Sequence, residues 1–250
     1  MIVESTNVEN THQIPAFAKP MLAEVPPFGV PISEVYLMDC IEGMKYFPDK
    51  YFDLAVCDPP YGINISNLFG GEKRKSGKGC AMKTAFTKKN WDLSIPEMQY
   101  FTELFRVSQN QIVWGANYFT QYLPNSMGWI VWNKNNGTTK FSDCELAFSS
   151  FDCALRMYTY TWNGMLQENM KEKEVRIHPT QKPVSLYDFC FDFAGLDKNS
   201  KILDTHLGSG SSRISANKNG LNFVGFEIDE EYFNKQNRRY ADFTAQTRLF

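Results

Sequence analysis

From residue 33 onward, compact apolar runs alternate with stretches whose apolar residues recur at helical spacing. SEVYLMDC, YFDLAVC, QIVWGANYF and GWIVWNK are short runs of strand length, and LAFSSF and LRMYTYTW follow the same pattern. IEGMKYF, IPEMQYFTELFRVS, VSLYDFCFDFAG, SRISANKNG and DEEYFNKQNRRYADF instead space their apolar residues as helices do. KILD and LNFVGFEID read as two more strands, set between the last three helices. Gly195 and Gly220 stand where helix stops are expected. In the last helix acids lead and bases trail, which suits the helix dipole. Alternating strands and helices predict an α/β fold, a mostly parallel sheet with helices on both faces.

Three stretches break the rhythm. Residues 1–30 hold four prolines and no period, and read as an N-terminal arm before a main domain over 31–250. Residues 64–90 are rich in Gly, Lys and Ser, and a loop of that length is usually functional or disordered. Residues 133–177, beginning NKNNGTTKF, form a second irregular insert.

Composition narrows the class. The chain has 250 residues, 43% hydrophobic and 22% charged, which is ordinary for one globular domain. No apolar run approaches the roughly 20 residues of a membrane span, and the N-terminus lacks a signal-peptide pattern. Six cysteines form no CxxC pair and three histidines are scattered, so neither a metal site nor a disulfide framework is expected. Reduced thiols point to the cytoplasm. A net charge of −2 means that any nucleic-acid surface is a local patch.

Chemistry concentrates at two strand ends. In ILDTHLGSGSS a strand ends at Asp204, and Gly208 and Gly210 permit a tight turn into the next helix. Such a turn places a nucleotide-like ligand over the strand ends. Glu227 ends the following strand, where a carboxylate can accept both ribose hydroxyls. Arg213 stands where a third glycine of GxGxxG would be. Asp204 suits an amino group, and a ligand with both an amino group and a ribose is S-adenosylmethionine.

The second strand end is FDLAVCDPPYGI. Pro59 and Pro60 fix φ and remove two donors, so the chain leaves the sheet stiffly. Asp58 offers a carboxylate, the prolines offer carbonyls and Tyr61 offers a flat face. Two acceptors can hold both hydrogens of an aromatic amine and favour a pyramidal nitrogen. Stacking on the tyrosine, worth roughly 1–3 kcal/mol, offsets the cost of flipping a base out of a duplex.

Together these pieces resemble the amino-methyltransferases of DNA, specifically the permuted (beta) group in which the catalytic corner precedes the cofactor turn. The matching segments are VYLMDCIEGM, FDLAVCDPPYGI, HPTQKPVSL, ILDTHLGSGSS and VGFEIDEEYF, in family order across most of 33–240. The resemblance implies a Rossmann-like S-adenosylmethionine methyltransferase fold with permuted motif order. It implies methylation of the exocyclic amine of adenine in DNA, the base DPPY usually accompanies. Cytosine N4 methylation and a non-catalytic DNA-binding subunit are the alternatives. It implies Asp58, Pro59, Pro60 and Tyr61 as the catalytic tetrapeptide. For the cofactor it implies Asp39 and Cys40 at the adenine, Asp204, Gly208, Ser209 and Gly210 at the turn, and Glu227 at the ribose. His178, Thr180, Gln181 and Lys182 of HPTQKP are then expected near the methionine end. Thr205 and His206 depart from the family's usual proline and aromatic, and His206 is expected to be a packed ring rather than a base.

For DNA, Lys73, Arg74, Lys75, Lys78, Lys83, Lys88 and Lys89 follow the catalytic corner and are expected to clamp phosphates. The insert 133–177 is a candidate for base contacts. It is short for a self-contained recognition domain. Trp114, Trp129 and Trp132 read as core. The resemblance further suggests a bacterial or phage enzyme, linked to a restriction nuclease or solitary, with DNA as its partner and a homodimer as one possible state.

Overall fold

The computed structural model describes residues 31–65, 86–137, 142–163 and 166–247. The arm 1–30 and most of the loop 64–90 lie outside them. The chain runs through β1 (Ser33–Leu37), α1 (Cys40–Met44), β2 (Phe52–Cys57), α2 (Met98–Val107) and β3 (Ser108–Trp114). Then come β4 (Ile130–Asn133), β5 (Cys144–Ser149), β6 (Arg156–Thr159) and a small hairpin, β7 (Trp162–Asn163) with β8 (Leu166–Gln167). The last part holds α3 (Val184–Ala194), β9 (Lys201–Asp204), α4 (Ser211–Lys218), β10 (Asn222–Glu227) and α5 (Glu230–Thr247).

Among the described residues, eight strands form one sheet in the order β1-β10-β9-β2-β3-β5-β4-β6. The pairings from β1 to β3 are parallel, and β5 runs antiparallel to both β3 and β4. This is a Rossmann-like methyltransferase fold with permuted strand order, as the sequence implied. The antiparallel β5 and the β7–β8 hairpin were not evident from periodicity, because pairing direction leaves no mark on a short apolar run.

Alternation along the strands fills both faces of the sheet. Ala55, Cys57, Leu203, Val224 and Phe226 pack with Met44, Tyr100, Phe101 and Leu104 from α1 and α2. Leu54, Val56, Ile202 and Phe223 pack on the other side with Leu186, Tyr187, Cys190 and Ala216 from α3 and α4. Trp114 and Trp132 are core residues as expected, and Trp129 packs partly buried against the first cluster.

The central pair, β2 and β9, sets the site. Leu54 aligns with Ile202 and Ala55 with Leu203, and Asp53 Oδ2 accepts from the Lys201 N–H at 2.8 Å. In chain order the sheet grows away from this pair in both directions. Their carboxyl ends therefore flank the crevice where open α/β sheets take ligands. The register brings Asp58 and the Thr205–Ser209 turn to the same edge.

Candidate active site

A cavity of about 460 Å³ opens above these strand ends. Asp39, Cys40, Asp58, His178, Thr180, Gln181, Lys182, Gly208, Ser209 and Glu227 all line it. Segments far apart in the chain thus meet as the sequence required. Asp39 caps α1, its Oδ1 accepting from the Ile41 and Glu42 N–H groups at 2.8 and 3.1 Å. Glu227 Oε2 accepts from the Gly208 N–H at 2.8 Å and Oε1 from the Asp229 N–H at 2.8 Å. Burial pushes the Glu227 carboxyl above its usual range despite these bonds. Gly208 has φ +52°, a left-handed conformation that glycine adopts without strain.

Two expected cofactor residues stand back from this cavity. Asp204 is 1% exposed and does not line it. Its Oδ1 accepts from the His206 N–H at 3.0 Å and its Oδ2 from the Ser212 hydroxyl at 2.5 Å. Burial pushes its carboxyl up to about 7. Asp204 therefore braces the turn rather than facing an amino group. Gly210, with φ +71°, starts α4, where a Cβ would meet Gln236 at 3.2 Å. The HPTQKP segment is held rigidly by its neighbours. Trp162 Nε1 donates to the Gln181 carbonyl at 2.7 Å, and the Ser211 hydroxyl donates to the Lys182 carbonyl at 2.7 Å. His178 packs edge-on against Tyr232, and burial holds it neutral, near 3. His206 packs against Tyr100, held near 4 by burial, a packed ring as expected.

A second cavity, about 280 Å³, is lined by the Asp58–Tyr61 corner. Asp58, Pro60, Trp91, Thr180, Gln181 and Lys182 form the wall common to both. Pro59, Tyr61, Tyr118, Lys134 and Glu145 line the second cavity alone. The Tyr61 ring stacks on Tyr118, with centroids 5.0 Å apart and planes 13° from parallel. It lies so close to Gly115 that a Cβ there would come within 2.0 Å of Tyr61 Cε1. Asp92, 1% exposed, fixes the turn beyond, accepting from the Gly62 and Ile65 N–H groups at 2.9 and 2.8 Å.

Lys182 lines the first cavity and also carries its ammonium to the Asp58 corner. Its ammonium lies 2.6 Å from Asp58 Oδ2 and 2.9 Å from Glu145 Oε2, and it donates to the Tyr61 hydroxyl at 3.2 Å. Tyr61 in turn donates to Asp58 Oδ1 at 2.6 Å. Lys134 meets Glu145 Oε1 at 2.5 Å. Burial pushes Asp58 up, outweighing Lys182. Burial also acts to raise Glu145, but Lys182 and Lys134 overcome it and hold that carboxyl at about 2.

Sequence reasoning missed Glu145, Tyr118, Trp91 and Asp92, and named Lys134 only as part of the insert that begins NKNNGTTKF. Glu145 left one trace: it is the lone acid in the apolar strand CELAFS, on the face shared with buried Ala147. Of the basic cluster, Lys73, Arg74, Lys75, Lys78 and Lys83 lie outside the described residues. Lys88 is exposed. Lys89 is drawn into ion pairs with Asp229 and Glu231 at 2.8 and 2.9 Å.

Residues 154–238 match the model of the N6/N4 methyltransferase family, a DNA methylase family. Residues 154–238 thus carry the sequence pattern of that DNA methylase family. The chain is 22% identical over 249 residues to the type II methyltransferase M1.MboII of Moraxella bovis, covering 82% of the chain and 95% of that relative. Type II methyltransferase M.HinfI of Haemophilus influenzae is 24% identical, covering 82% of the chain and 67% of the relative. Among solved structures, TTHA0409 of Thermus thermophilus, complexed with S-adenosyl-L-methionine, superposes with a TM-score of 0.52. It is 13% identical and covers 85% of this chain and 94% of its own. The cytosine-N4-specific PvuII DNA methyltransferase superposes with a TM-score of 0.53 at 12% identity, covering 85% and 92%. These two likenesses concern the fold. Among the described residues no helix is long and apolar enough to cross a membrane.

Proposed function

We propose that this protein is an S-adenosylmethionine-dependent methyltransferase that acts on the exocyclic amine of adenine in DNA, flipped out of the duplex into the second cavity. One observation carries the reading: the Asp58–Tyr61 corner is a wall between two cavities. One cavity presents the Glu227 carboxylate and the Asp39 cap, the other a stacked tyrosine pair. The donor set of the first fits the cofactor. Glu227 serves the ribose hydroxyls, Asp39 and Cys40 the adenine, and the 178–182 segment the methionine end. Bound there, S-adenosylmethionine supplies an electrophilic methyl group on sulfur.

The chain's own residues do the rest. Tyr61, backed by Tyr118, offers a face on which the flipped base stacks. Asp58 and the Pro59 carbonyl accept the two amine hydrogens and turn the nitrogen lone pair toward the donor. Positioning of this kind supplies much of the acceleration. Asp58 then takes the proton that the methylated nitrogen sheds. Lys88 and the basic loop serve the DNA backbone, and the insert 133–177, which carries Lys134 and Glu145, flanks the base.

The test is mass spectrometry of nucleosides from DNA incubated with the protein and S-adenosylmethionine. N6-methyldeoxyadenosine is the expected product. N4-methyldeoxycytidine in its place would overturn the choice of base.

A further inference from the structure

Lys182 is a buried cation shared by two carboxylates, and the sharing is uneven in consequence. Its side chain is 3% exposed, and all three of its ammonium donors are engaged, by Asp58, Glu145 and the Tyr61 hydroxyl. Asp58 is the group that must receive the amine. A cation tied to Asp58 alone would compete for its oxygens. It would also set a positive charge beside a nitrogen that gains positive charge during transfer. Glu145 sits opposite on β5, within reach of the same ammonium, and is itself countered by Lys134 just after β4. Two carboxylates and two ammonium groups thus balance in one buried cluster.

We propose that Glu145 is a positioning residue for methyl transfer: it draws Lys182 aside, leaving an Asp58 oxygen open to the incoming amine. The proposal rests on the reading of the reaction given above. When the base arrives, its amine takes up Asp58 Oδ2 and Lys182 falls back on Glu145. In the step itself the amine nitrogen bonds to the methyl carbon. The methyl–sulfur bond breaks with its electron pair left on sulfur, and the surplus proton on nitrogen passes to Asp58 and then to solvent. Lys182 offsets part of the burial that pushes Asp58 up, and Glu145 prevents that help from becoming a block. The charged and titratable groups facing Asp58 are Lys182 and Tyr61, Glu145 on β5 with Lys134 behind it, Asp204 at the end of β9 and Tyr187 on α3.

The experiment compares the full-length protein with Glu145→Gln, Glu145→Asp, Lys182→Met and the Glu145→Gln/Lys182→Met double variant. The pH profile of kcat/KM on DNA and S-adenosylmethionine affinity by calorimetry are measured for each. Glu145→Gln should lower kcat about 10- to 100-fold with cofactor affinity unchanged, and Glu145→Asp should recover part of the loss. The acid limb should move down in Glu145→Gln, where a like charge has gone, and up in Lys182→Met, where a cation has gone. The double variant should lie between them and be more active than additive losses allow. Acid limbs that stay fixed, or move the same way in both single variants, would overturn the proposal. The Asp58 ionisation is read separately by carbon-13 NMR of labelled aspartate in the cofactor complex. Opposite shifts there with no methylated base formed would retain the positioning role and overturn the reading of the reaction.

Discussion

Lys89 Nζ lies 2.8 Å from Asp229 Oδ2, fastening the segment before α2 to the residue that caps α5. The same ammonium reaches Glu231 Oε2 at 2.9 Å. Trp91, Ser94, Ile95 and Pro96, just beyond Lys89, wall the cavity proposed for the cofactor. The ion pairs therefore hold a strap across that cavity. Lys89→Met should speed cofactor release by about fivefold, since partly exposed pairs contribute up to about 1 kcal/mol each. Dissociation rates from competition experiments check this. A loss confined to DNA affinity, with release unchanged, would return Lys89 to the phosphate-clamping role expected from sequence.

Gly115 makes room for Tyr61. Its φ of +68° is already a glycine conformation, and a Cβ would come 2.0 Å from the Tyr61 ring. Gly115→Ala should displace the ring from Tyr118 and lower the methylation rate at least about tenfold. Cofactor affinity should hold, because Gly115 lines the second cavity and not the first. Parallel calorimetry and single-turnover methylation separate the two effects.

His206 makes the protein sensitive to acid. Burial holds its ring near 4, well below the ordinary value of 6.5. Between those limits the unfolded chain binds a proton that the native state does not. The stability it confers is therefore full above about pH 6.5 and lost as pH falls toward 4. His206→Phe, the kind of ring the family usually places there, should flatten this limb while His178 keeps its own. Urea unfolding at pH 7, 6 and 5 measures the difference, and equal slopes for both proteins would refute the assignment.

Arg213 explains the missing third glycine. It donates to Ser33 Oγ at 2.9 Å, Gln236 Oε1 at 3.1 Å and Asn237 Oδ1 at 2.8 Å, and its guanidinium stacks 3.8 Å from the Tyr240 ring centroid. It ties α4 to β1 and α5. Arg213→Ala should cost about 2–3 kcal/mol, from hydrogen bonds to a charged group and acceptors left unpaired. Thermal unfolding reads the loss. Cofactor affinity measured well below the new midpoint should change little.

Periodicity identified the strands from SEVYLMDC to LNFVGFEID and the five helices, because burial on a sheet or helix face repeats at a fixed spacing. Gly195 ends α3 with φ +62°, as its place in the sequence indicated. The tetrapeptide at 58–61 and the turn at 204–212 were legible because each is a local departure that a strand end cannot tolerate by chance. Family resemblance joined them.

The rest is not written locally. That Lys182 reaches Asp58 and Glu145 depends on β5 inserting antiparallel between β3 and β4. Nothing in CELAFS specifies its neighbours. Lys89 looked like a phosphate contact because it closes a lysine-rich loop, yet folding places the carboxylates of Asp229 and Glu231, at the start of α5, beside it. Asp204 carried the right chemistry for a ligand, but the turn's own N–H and hydroxyl groups claimed it first. Sequence determined which chemistry this protein carries and at which strand ends. The tertiary structure decided which charges meet, because a charge taken out of water needs a partner and the partner is chosen by packing across the whole chain.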